Sequence, residues 1–316
     1  MARKITIDNT AAGQRLDKFL VKYLAAAPKA TIYKLLRKKS IKVNGAKATE
    51  SYILNPQDTI TFFLSDDTLD KFSAKEISLV PKNMGKAEIE KIYEDEYVLI
   101  VNKPANLLTQ PNIKGGDSLI ARIRGEEEGL FKTTVINRLD RNTTGIVVCA
   151  KTLIAAQILS ELFRRREIEK YYIGIVHGKI SDNMILEATH IKDEANNLVE
   201  YIGVDVPRGT QKNKISTTEI IPMAYNKNKD ISIIKIKLIT GHSHQIRAHL
   251  KFAGYPLVGD PKYGLSSEFS KAKRQQLHAH EIKFPKMQNN ILQYLQEKTF
   301  KATIPPDFIF HMQQDV

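Results

Sequence analysis

The sequence predicts an α+β protein of two domains, in which a small basic domain precedes a larger one rich in strands. A length of 316 residues suits about two domains at ~150 residues each. Residues 1–60 contain 12 Lys and Arg against 4 Asp and Glu, a net charge of +8, whereas the whole chain carries +13. Apolar residues recur at helical spacing near the N-terminus, and strand-length apolar runs dominate from residue 91 onward.

Composition excludes several classes of protein. Hydrophobic residues make up 42% and charged residues 26% of the chain, which rules out a disordered or collagen-like protein. No run approaches the ~18 consecutive apolar residues of a membrane span, and the first residues lack the apolar core of a signal peptide. We therefore expect a cytoplasmic protein with no segment that spans a membrane. Phosphate-loop and dinucleotide glycine motifs are absent, so no cofactor is predicted.

Two amphipathic helices and two short strands are predicted in the basic N-terminal segment. Leu16, Phe19, Leu20 and Leu24 share one face of the first helix. The second helix begins near residues 28–31 and presents cations on its outer face. A strand then leads into an Asn-Gly turn, and a second strand follows near residues 59–64. The cations of this second helix and the strand after it are Lys34, Arg37, Lys38, Lys39 and Lys42.

This excess of positive charge favours a polyanionic partner. Charge alone leaves open whether that partner is a nucleic acid or an anionic membrane, and a role in solubility is the simpler alternative. The order of helix, basic helix, short strand, Asn-Gly turn and strand resembles the alpha-L RNA-binding domain. The resemblance implies such a domain at residues 10–65, in which the five cations grip the backbone of structured RNA. Residues 66–87 are polar and are predicted to form a linker.

Strands are predicted in the larger domain at residues 97–101, 145–150, 171–176 and 231–238, and a helix at 151–166. Cys149 falls within one of these apolar runs and is expected to be a core residue. The most unusual segment precedes the strand at 145–150, where Asp140 lies between Arg138 and Arg141. Nearby guanidinium groups favour an ionised carboxylate, which could act as a nucleophile or base. An ion-paired turn with no catalytic role would show the same pattern.

Five ordered segments of the larger domain resemble the RluA family of pseudouridine synthases. They are residues 92–104, 137–145, 170–176, 240–263 and 277–280. The resemblance implies a catalytic domain at residues 88–316, built on a large mixed, mostly antiparallel sheet. It also implies an enzyme that isomerises uridine to pseudouridine in structured RNA, after the base has left its stack.

The resemblance assigns roles to individual residues. Asp140 is the expected catalytic carboxylate, acting either as a nucleophile or by drawing a proton from the ribose, and Arg247 pairs with it and lowers its pKa. Tyr172 is expected to stack on the uracil and to accept a proton from the new carbon linkage; Tyr171 competes for this role, but alternation along a strand places the two on opposite faces. Arg138 is expected to fill the gap left by the base, and Arg141 to contact phosphate.

Several alternatives and departures accompany this interpretation. The family usually has His where this chain has Asn137, and Arg where it has His242. Read without the resemblance, a histidine cluster could hold zinc in a metal-dependent hydrolase, with residues 242 and 244 on one face of a strand; no metal is predicted, because no acidic partner is adjacent and the family is metal-free. The histidines are His242, His244, His249, His278 and His280.

The partner expected from the resemblance is large-subunit ribosomal RNA. The N-terminal domain is typical of members that act on ribosomal RNA, and residues 28–37 look closest to the RluC branch. A tRNA-directed enzyme and a non-catalytic RNA-binding factor in ribosome assembly are the alternatives. A monomer is expected.

Overall fold

The computed structural model describes residues 2–73, 89–112, 116–125, 127, 130–193, 198–202, 214–265 and 274–308. Within these ranges the chain forms a small N-terminal domain and a larger domain built on one sheet. No helix in the described ranges is long and apolar enough to cross a lipid bilayer.

The N-terminal domain is a three-stranded antiparallel sheet covered by three helices. Its elements are β1 (Arg3–Thr6), α1 (Leu16–Tyr23), α2 (Lys29–Arg37), β2 (Ile41–Val43), β3 (Thr59–Phe62) and α3 (Asp66–Phe72), and the strand order is β1-β3-β2. The two predicted helices and the two predicted strands are confirmed. Leu16, Leu20 and Ile32 are fully buried in one apolar cluster, so the apolar stripes of α1 and α2 form the core that this small domain needs.

The predicted Asn-Gly turn is tied to the turn before β3. Asn44 and Gly45 have φ angles of 51° and 77°, which asparagine and glycine tolerate better than other residues. Val43 and Ala46 exchange two backbone hydrogen bonds of 3.0 and 2.9 Å across the turn. The Asn44 side chain donates a 2.7 Å hydrogen bond to Asp58. The two polar turns therefore fix each other at one end of the sheet.

The N-terminal domain is longer at both ends than the sequence predicted. β1 pairs with β3, and α3 occupies the first part of the predicted linker, where its Leu69 is fully buried in the core of this domain. The prediction of a linker was wrong for residues 66–72, because one buried side chain and a Ser65 cap suffice for a helix too short to show periodicity. Residues 74–87 of the predicted linker lie outside the described residues.

The larger domain contains an eleven-stranded sheet among the described residues. Its strand order is β10-β9-β11-β12-β8-β13-β7-β5-β4, with β14 paired to β13 and β6 to β7. All pairings are antiparallel except that between β13 and β7, which confirms a mixed, mostly antiparallel sheet. The strands are β4 (Glu90–Glu94), β5 (Val98–Lys103), β6 (Thr134–Val135), β7 (Thr144–Ala150), β8 (Glu169–His177), β9 (Met184–Asp193), β10 (Leu198–Ile202), β11 (Lys214–Asn226), β12 (Ile231–Leu238), β13 (Leu277–Lys283) and β14 (Thr299–Lys301); the helices are α4 (Leu119–Arg124), α5 (Leu153–Arg164) and α6 (Gln245–Phe252), with a 3₁₀ turn at Gln293–Leu295.

The apolar core lies on both faces of this sheet. All seven residues of β7 are buried, and alternate residues belong to different clusters: Val147 packs with residues of α6, whereas Val148 packs with residues of α5. Cys149 is fully buried, and burial raises the pKa of its thiol to about 12. This confirms its prediction as a core residue.

The N-terminal domain contacts the larger domain at the start of α5. The Leu153 amide donates a 3.0 Å hydrogen bond to the Thr10 carbonyl, and the Leu130 amide donates a 3.2 Å hydrogen bond to the Asp8 carboxylate. Phe131 packs against the core of the N-terminal domain. These contacts connect the domain that contains the basic helix α2 to the domain built on the eleven-stranded sheet.

Replacing Gly145 with alanine should strongly destabilise the protein. Gly145 has a φ of 111°, and a Cβ atom there would lie 2.2 Å from the Ala279 carbonyl oxygen. We expect Gly145→Ala to lower the free energy of unfolding by about 3 kcal/mol or more, from backbone strain and overpacking together. Urea unfolding followed by circular dichroism measures this difference.

Gly45→Ala is the matched control for this prediction. Gly45 also has a positive φ, but its added Cβ would meet no atom within 4 Å, so only the strain of about 1–2 kcal/mol remains. Equal losses in the two variants would contradict the close approach of β7 to β13.

Candidate active site

The loop between β6 and β7 is fixed on both sides of Asp140. On the upstream side, the Leu139 amide donates to the Thr109 hydroxyl at 3.1 Å, and that hydroxyl donates to the Leu139 carbonyl at 2.9 Å. On the downstream side, the Arg141 carbonyl accepts a 3.0 Å hydrogen bond from the Lys103 ammonium. The Asp140 side chain itself is 28% exposed. The loop is therefore anchored through its backbone while its carboxylate faces solvent.

Lys103 is a buried cation that the sequence analysis did not single out. Its Nζ donates to the carbonyls of Pro104, Leu107 and Arg141 at 2.9, 2.8 and 3.0 Å, which matches the three donors of an ammonium group. Burial lowers the pKa of Lys103 to about 7, against the opposing pull of the Asp140 charge. Lys103 could have been identified from the sequence, because it is a lysine at the end of a buried strand directly before a proline.

Arg247 joins Asp140 to a second carboxylate, Asp260. Its Nη1 donates to Asp140 Oδ2 at 2.8 Å, while Nε and Nη2 donate to the two oxygens of Asp260 at 2.7 and 2.8 Å. The amides of Lys262 and Tyr263 also donate to Asp260, each at 2.9 Å. Asp260 is fully buried and thus fixes the plane of the guanidinium. Asp260 falls within the family segment at residues 240–263, where no role was predicted for it.

Their mutual interactions keep Arg247 and Asp260 charged although both side chains are buried. Burial alone would raise the pKa of Asp260, but the hydrogen bonds and charge of Arg247 outweigh it and hold the pKa below its ordinary value. Burial likewise opposes the charge on Arg247, and the two carboxylates outweigh it and raise its pKa. The cluster thus combines one cation with two carboxylates, and only the Asp140 side chain has substantial exposure.

Tyr172 lies on the same side of the sheet as Asp140, whereas Tyr171 does not. Tyr172 lines the cleft and is 8% exposed. Tyr171 lies on the other face, where its hydroxyl donates to Glu169 and Lys235 Nζ lies 4.3 Å from the centre of its ring. The predicted alternation is confirmed. Burial, and secondarily the charge of Asp140, raise the pKa of Tyr172 above its ordinary value, so the phenol remains protonated at neutral pH.

The residues predicted to form the site fall into two groups. Asp140, Tyr172 and Arg247 line one cleft of about 970 Å³, together with the exposed Arg138 and Arg141. The cations predicted in the N-terminal domain lie outside this cleft, on α2 and the residues that follow it; they are Lys34, Arg37, Lys38, Lys39 and Lys42. All are exposed except Lys42, which is half-buried with its Nζ 5.1 Å from the centre of the Phe63 ring.

The two departures from the family pattern have structural explanations. Asn137 accepts a 2.7 Å hydrogen bond from the Val148 amide and donates at 3.2 Å to the Ile146 carbonyl. Its side chain therefore continues the pairing of β6 with β7. His242 lines the cleft, and its Nδ1 lies 2.6 Å from the Ser216 hydroxyl. His242 is thus held by β11.

The histidines are not arranged as a metal site. Residues 242 and 244 lie in the loop before α6, so the expectation that a strand aligns them was wrong; His244 has a φ of 52° at the start of the helix. Each of the five histidines directs its Nδ1 at a different partner, and these partners are Ser216, Tyr263, Thr218, Thr144 and the Ala302 carbonyl. Among the described residues, no group of three or more His, Cys, Asp or Glu could hold a metal ion.

Comparisons with known proteins agree with this arrangement. A family model described as RNA pseudouridylate synthase matches residues 97–252, and a model of the S4 domain matches residues 14–60. An uncharacterized RNA pseudouridine synthase of Mycoplasma genitalium is 31% identical over 99% of both chains. The ribosomal large subunit pseudouridine synthase C of Haemophilus ducreyi is 30% identical over 88% of this chain and 86% of that protein.

A solved structure shares the fold of the larger part of the chain. Human RNA pseudouridylate synthase domain containing 1 superimposes with a TM-score of 0.54 at 21% identity, covering 75% of this chain and all of that one.

Replacing Asp260 with asparagine should destabilise the protein, because it leaves a buried guanidinium with Asp140 as its remaining carboxylate partner. We expect Asp260→Asn to lower the free energy of unfolding by about 3–5 kcal/mol, measured by urea denaturation. The control is Glu161→Gln, which removes the carboxylate from an exposed ion-pair cluster and should have a much smaller effect. Similar losses in both variants would show that Asp260 does not stabilise a buried charge.

Proposed function

The chain belongs to the RluA family of RNA pseudouridine synthases, and on this premise we propose that it isomerises uridines of large-subunit ribosomal RNA. In this proposal Asp140 and Tyr172 act on the nucleotide, and Arg247 holds Asp140 in place. The observation that carries the proposal is the 2.8 Å contact of Arg247 with Asp140 in a cleft that Tyr172 also lines. The name of the Haemophilus ducreyi relative and the S4 domain at residues 14–60 support ribosomal RNA as the target.

The reaction moves uracil from a nitrogen linkage to a carbon linkage on the same ribose. Nothing is oxidised or hydrolysed overall, so the reaction requires a bound base, a reactive carboxylate and a route for one proton. The base must first leave its stack to bring the glycosidic bond to the enzyme. A cleft of about 970 Å³ has room for a nucleotide.

The contacts of Asp140 distinguish its two oxygens. Oδ2 accepts the hydrogen bond of Arg247, whereas Oδ1 lies 3.9 Å from His244 Nε2, beyond hydrogen-bond distance. Oδ1 is therefore the oxygen that meets the ribose, whether it attacks carbon or removes a proton. Arg247 supports either route, because it orients the carboxylate and stabilises its negative charge.

Tyr172 contributes a ring and a hydroxyl. The ring gives the uracil a flat apolar surface at the wall of the cleft. Because the pKa of the phenol is raised, the hydroxyl acts as a base only if it passes its own proton to an acceptor as it takes the one from the new carbon linkage. Asp140, which lines the same cleft, is the acceptor in this proposal, and the proton then passes to the uracil nitrogen that has left the ribose.

Asp140→Asn should abolish pseudouridine formation and leave RNA binding nearly intact. The amide keeps the shape of the carboxylate but is a poor nucleophile and base, so we expect turnover to fall by about 10³-fold or more. Pseudouridine mapping in ribosomal and transfer RNA from cells that lack the gene, complemented with each variant, measures the loss. Asp182→Asn, at an exposed position outside the cleft, is the control.

Wild-type turnover in Asp140→Asn would contradict the role of Asp140. If the sites that depend on the gene lie in tRNA alone, the enzyme class stands and the ribosomal target is wrong.

Tyr172→Phe should separate the two contributions of Tyr172. The ring remains, so we expect KM for RNA to be unchanged, while loss of the proton relay lowers kcat by about 10²–10⁴-fold. Tyr171→Phe removes a hydroxyl from the neighbouring residue on the opposite face and should leave kcat unchanged. Single-turnover kinetics with transcribed ribosomal RNA measures both. A normal kcat in Tyr172→Phe would move proton transfer to another group.

A further inference from the structure

We propose that Arg166 and Lys170 together bind an RNA phosphate group at the rim of the cleft, next to the position that the uracil enters. No motif noted in the sequence assigns Arg166 a role, and Lys170 begins the family segment at residues 170–176 without a role of its own. The inference rests on the proposed function in one respect, namely that the anion is a phosphate of the RNA substrate.

The path of the chain from α5 into β8 brings the two side chains to the cleft. α5 ends at Arg164, and Arg166 follows with a φ of 63°, which turns the chain toward β8. Lys170 lies two residues before Tyr172 on β8, so both project from the same face of the sheet about 7 Å apart along the strand. Arg166 and Lys170 both line the cleft that contains Asp140.

Lys170 reaches the opposite wall of the cleft. A Cβ atom built on Gly241 would lie 3.6 Å from Lys170 Nζ, so the ammonium lies beside the loop that carries His242. Lys170 is half-buried and Arg166 is exposed. An anion at the rim therefore meets a half-buried ammonium on one side and an exposed guanidinium on the other.

The two cations carry uncompensated charge. Neither has an ion pair with a carboxylate among the described residues, whereas the adjacent Arg164 and Arg165 both pair with Glu161. Both side chains line the same cleft, and burial and the charge of Arg166 lower the pKa of Lys170. Like charges held together without a counter-ion are unfavourable, and a bound phosphate relieves the repulsion with charge-assisted hydrogen bonds.

The position of the pair suits a phosphate close to the modified nucleotide. Lys170 and Tyr172 are one strand repeat apart, a distance comparable to that between a base and the phosphates that flank its own ribose. Gripping a flanking phosphate holds the backbone at the rim while the uncharged base occupies the cleft. Such a contact positions the RNA strand but does not distinguish one base sequence from another.

Arg166→Gln and Lys170→Gln should each weaken RNA binding and reduce its dependence on salt. We expect the slope of log Kobs against log salt to become shallower by about 0.7–0.9, the value for one phosphate contact. Binding of transcribed large-subunit ribosomal RNA is measured in the Asp140→Asn background, so that no product forms. Because the two residues share one phosphate, the double variant should lose no more slope than either single variant.

Two controls make the result specific. Arg165→Gln removes an exposed cation one position away that pairs with Glu161 and does not line the cleft, and it should leave the slope unchanged. Lys170→Arg retains the charge and should restore the slope. In otherwise wild-type enzyme, Arg166→Gln should raise KM and leave kcat at saturating RNA unchanged.

The outcomes separate this inference from the proposed function. If the wild type forms pseudouridine but the slopes of Arg166→Gln and Lys170→Gln equal that of Arg165→Gln, the phosphate site is wrong and the enzymatic activity stands. If the wild type forms no pseudouridine while the slopes change as expected, the phosphate site stands and the proposed function fails.

Discussion

Arg247 is the side chain on which the geometry of the cleft depends. Its guanidinium contacts two carboxylates that are far apart in the sequence, with Asp260 behind it and Asp140 in front. The donors of a guanidinium have fixed directions, so the position of Asp260 decides where the remaining N–H group meets Asp140. Asp260 is itself held by two backbone amides. The orientation of the half-buried Asp140 carboxylate therefore depends on the backbone after α6, whereas the loop of Asp140 determines its position.

The sheet brings these parts together through its one parallel pairing among the described strands. β7 lies beside β13, which also pairs with β8, so the loop that precedes β7 comes near the strand that carries Tyr172. The approach is close enough that Gly145 has no room for a side chain against Ala279. The Lys103 ammonium also anchors this loop, because it donates hydrogen bonds to the carbonyls of Leu107 and Arg141. A glycine and a buried lysine thus fix a loop whose functional group they do not touch.

Local patterns in the sequence predicted the elements whose stability is local. Helical spacing located α1, α2 and α5, because one apolar face of each is buried, and apolar runs located β5, β7, β8 and β12 for the same reason. The short α3 was missed, since one buried leucine leaves no period to detect. Asp260 was given no role, because its partner Arg247 lies 13 residues away and spacing along a chain does not encode which side chains meet. Asp140, Tyr172 and Arg247 were located together only through their family motifs.

The distribution of charge in the cleft explains which part of a nucleotide could enter it. In the interior, the two carboxylates face the guanidinium of Arg247, and the Lys103 ammonium lies behind the Asp140 loop, so the interior charges largely compensate one another. The cations Arg138, Arg141, Arg166 and Lys170 line the same cleft without an ion pair to a described carboxylate, and the three arginines among them are exposed. A phosphodiester backbone is therefore attracted to the rim, whereas an uncharged uracil has no electrostatic reason to remain there. Under the proposed function, this distribution of charge favours a nucleotide whose phosphate lies at the rim and whose base points inward, before any base-specific contact forms.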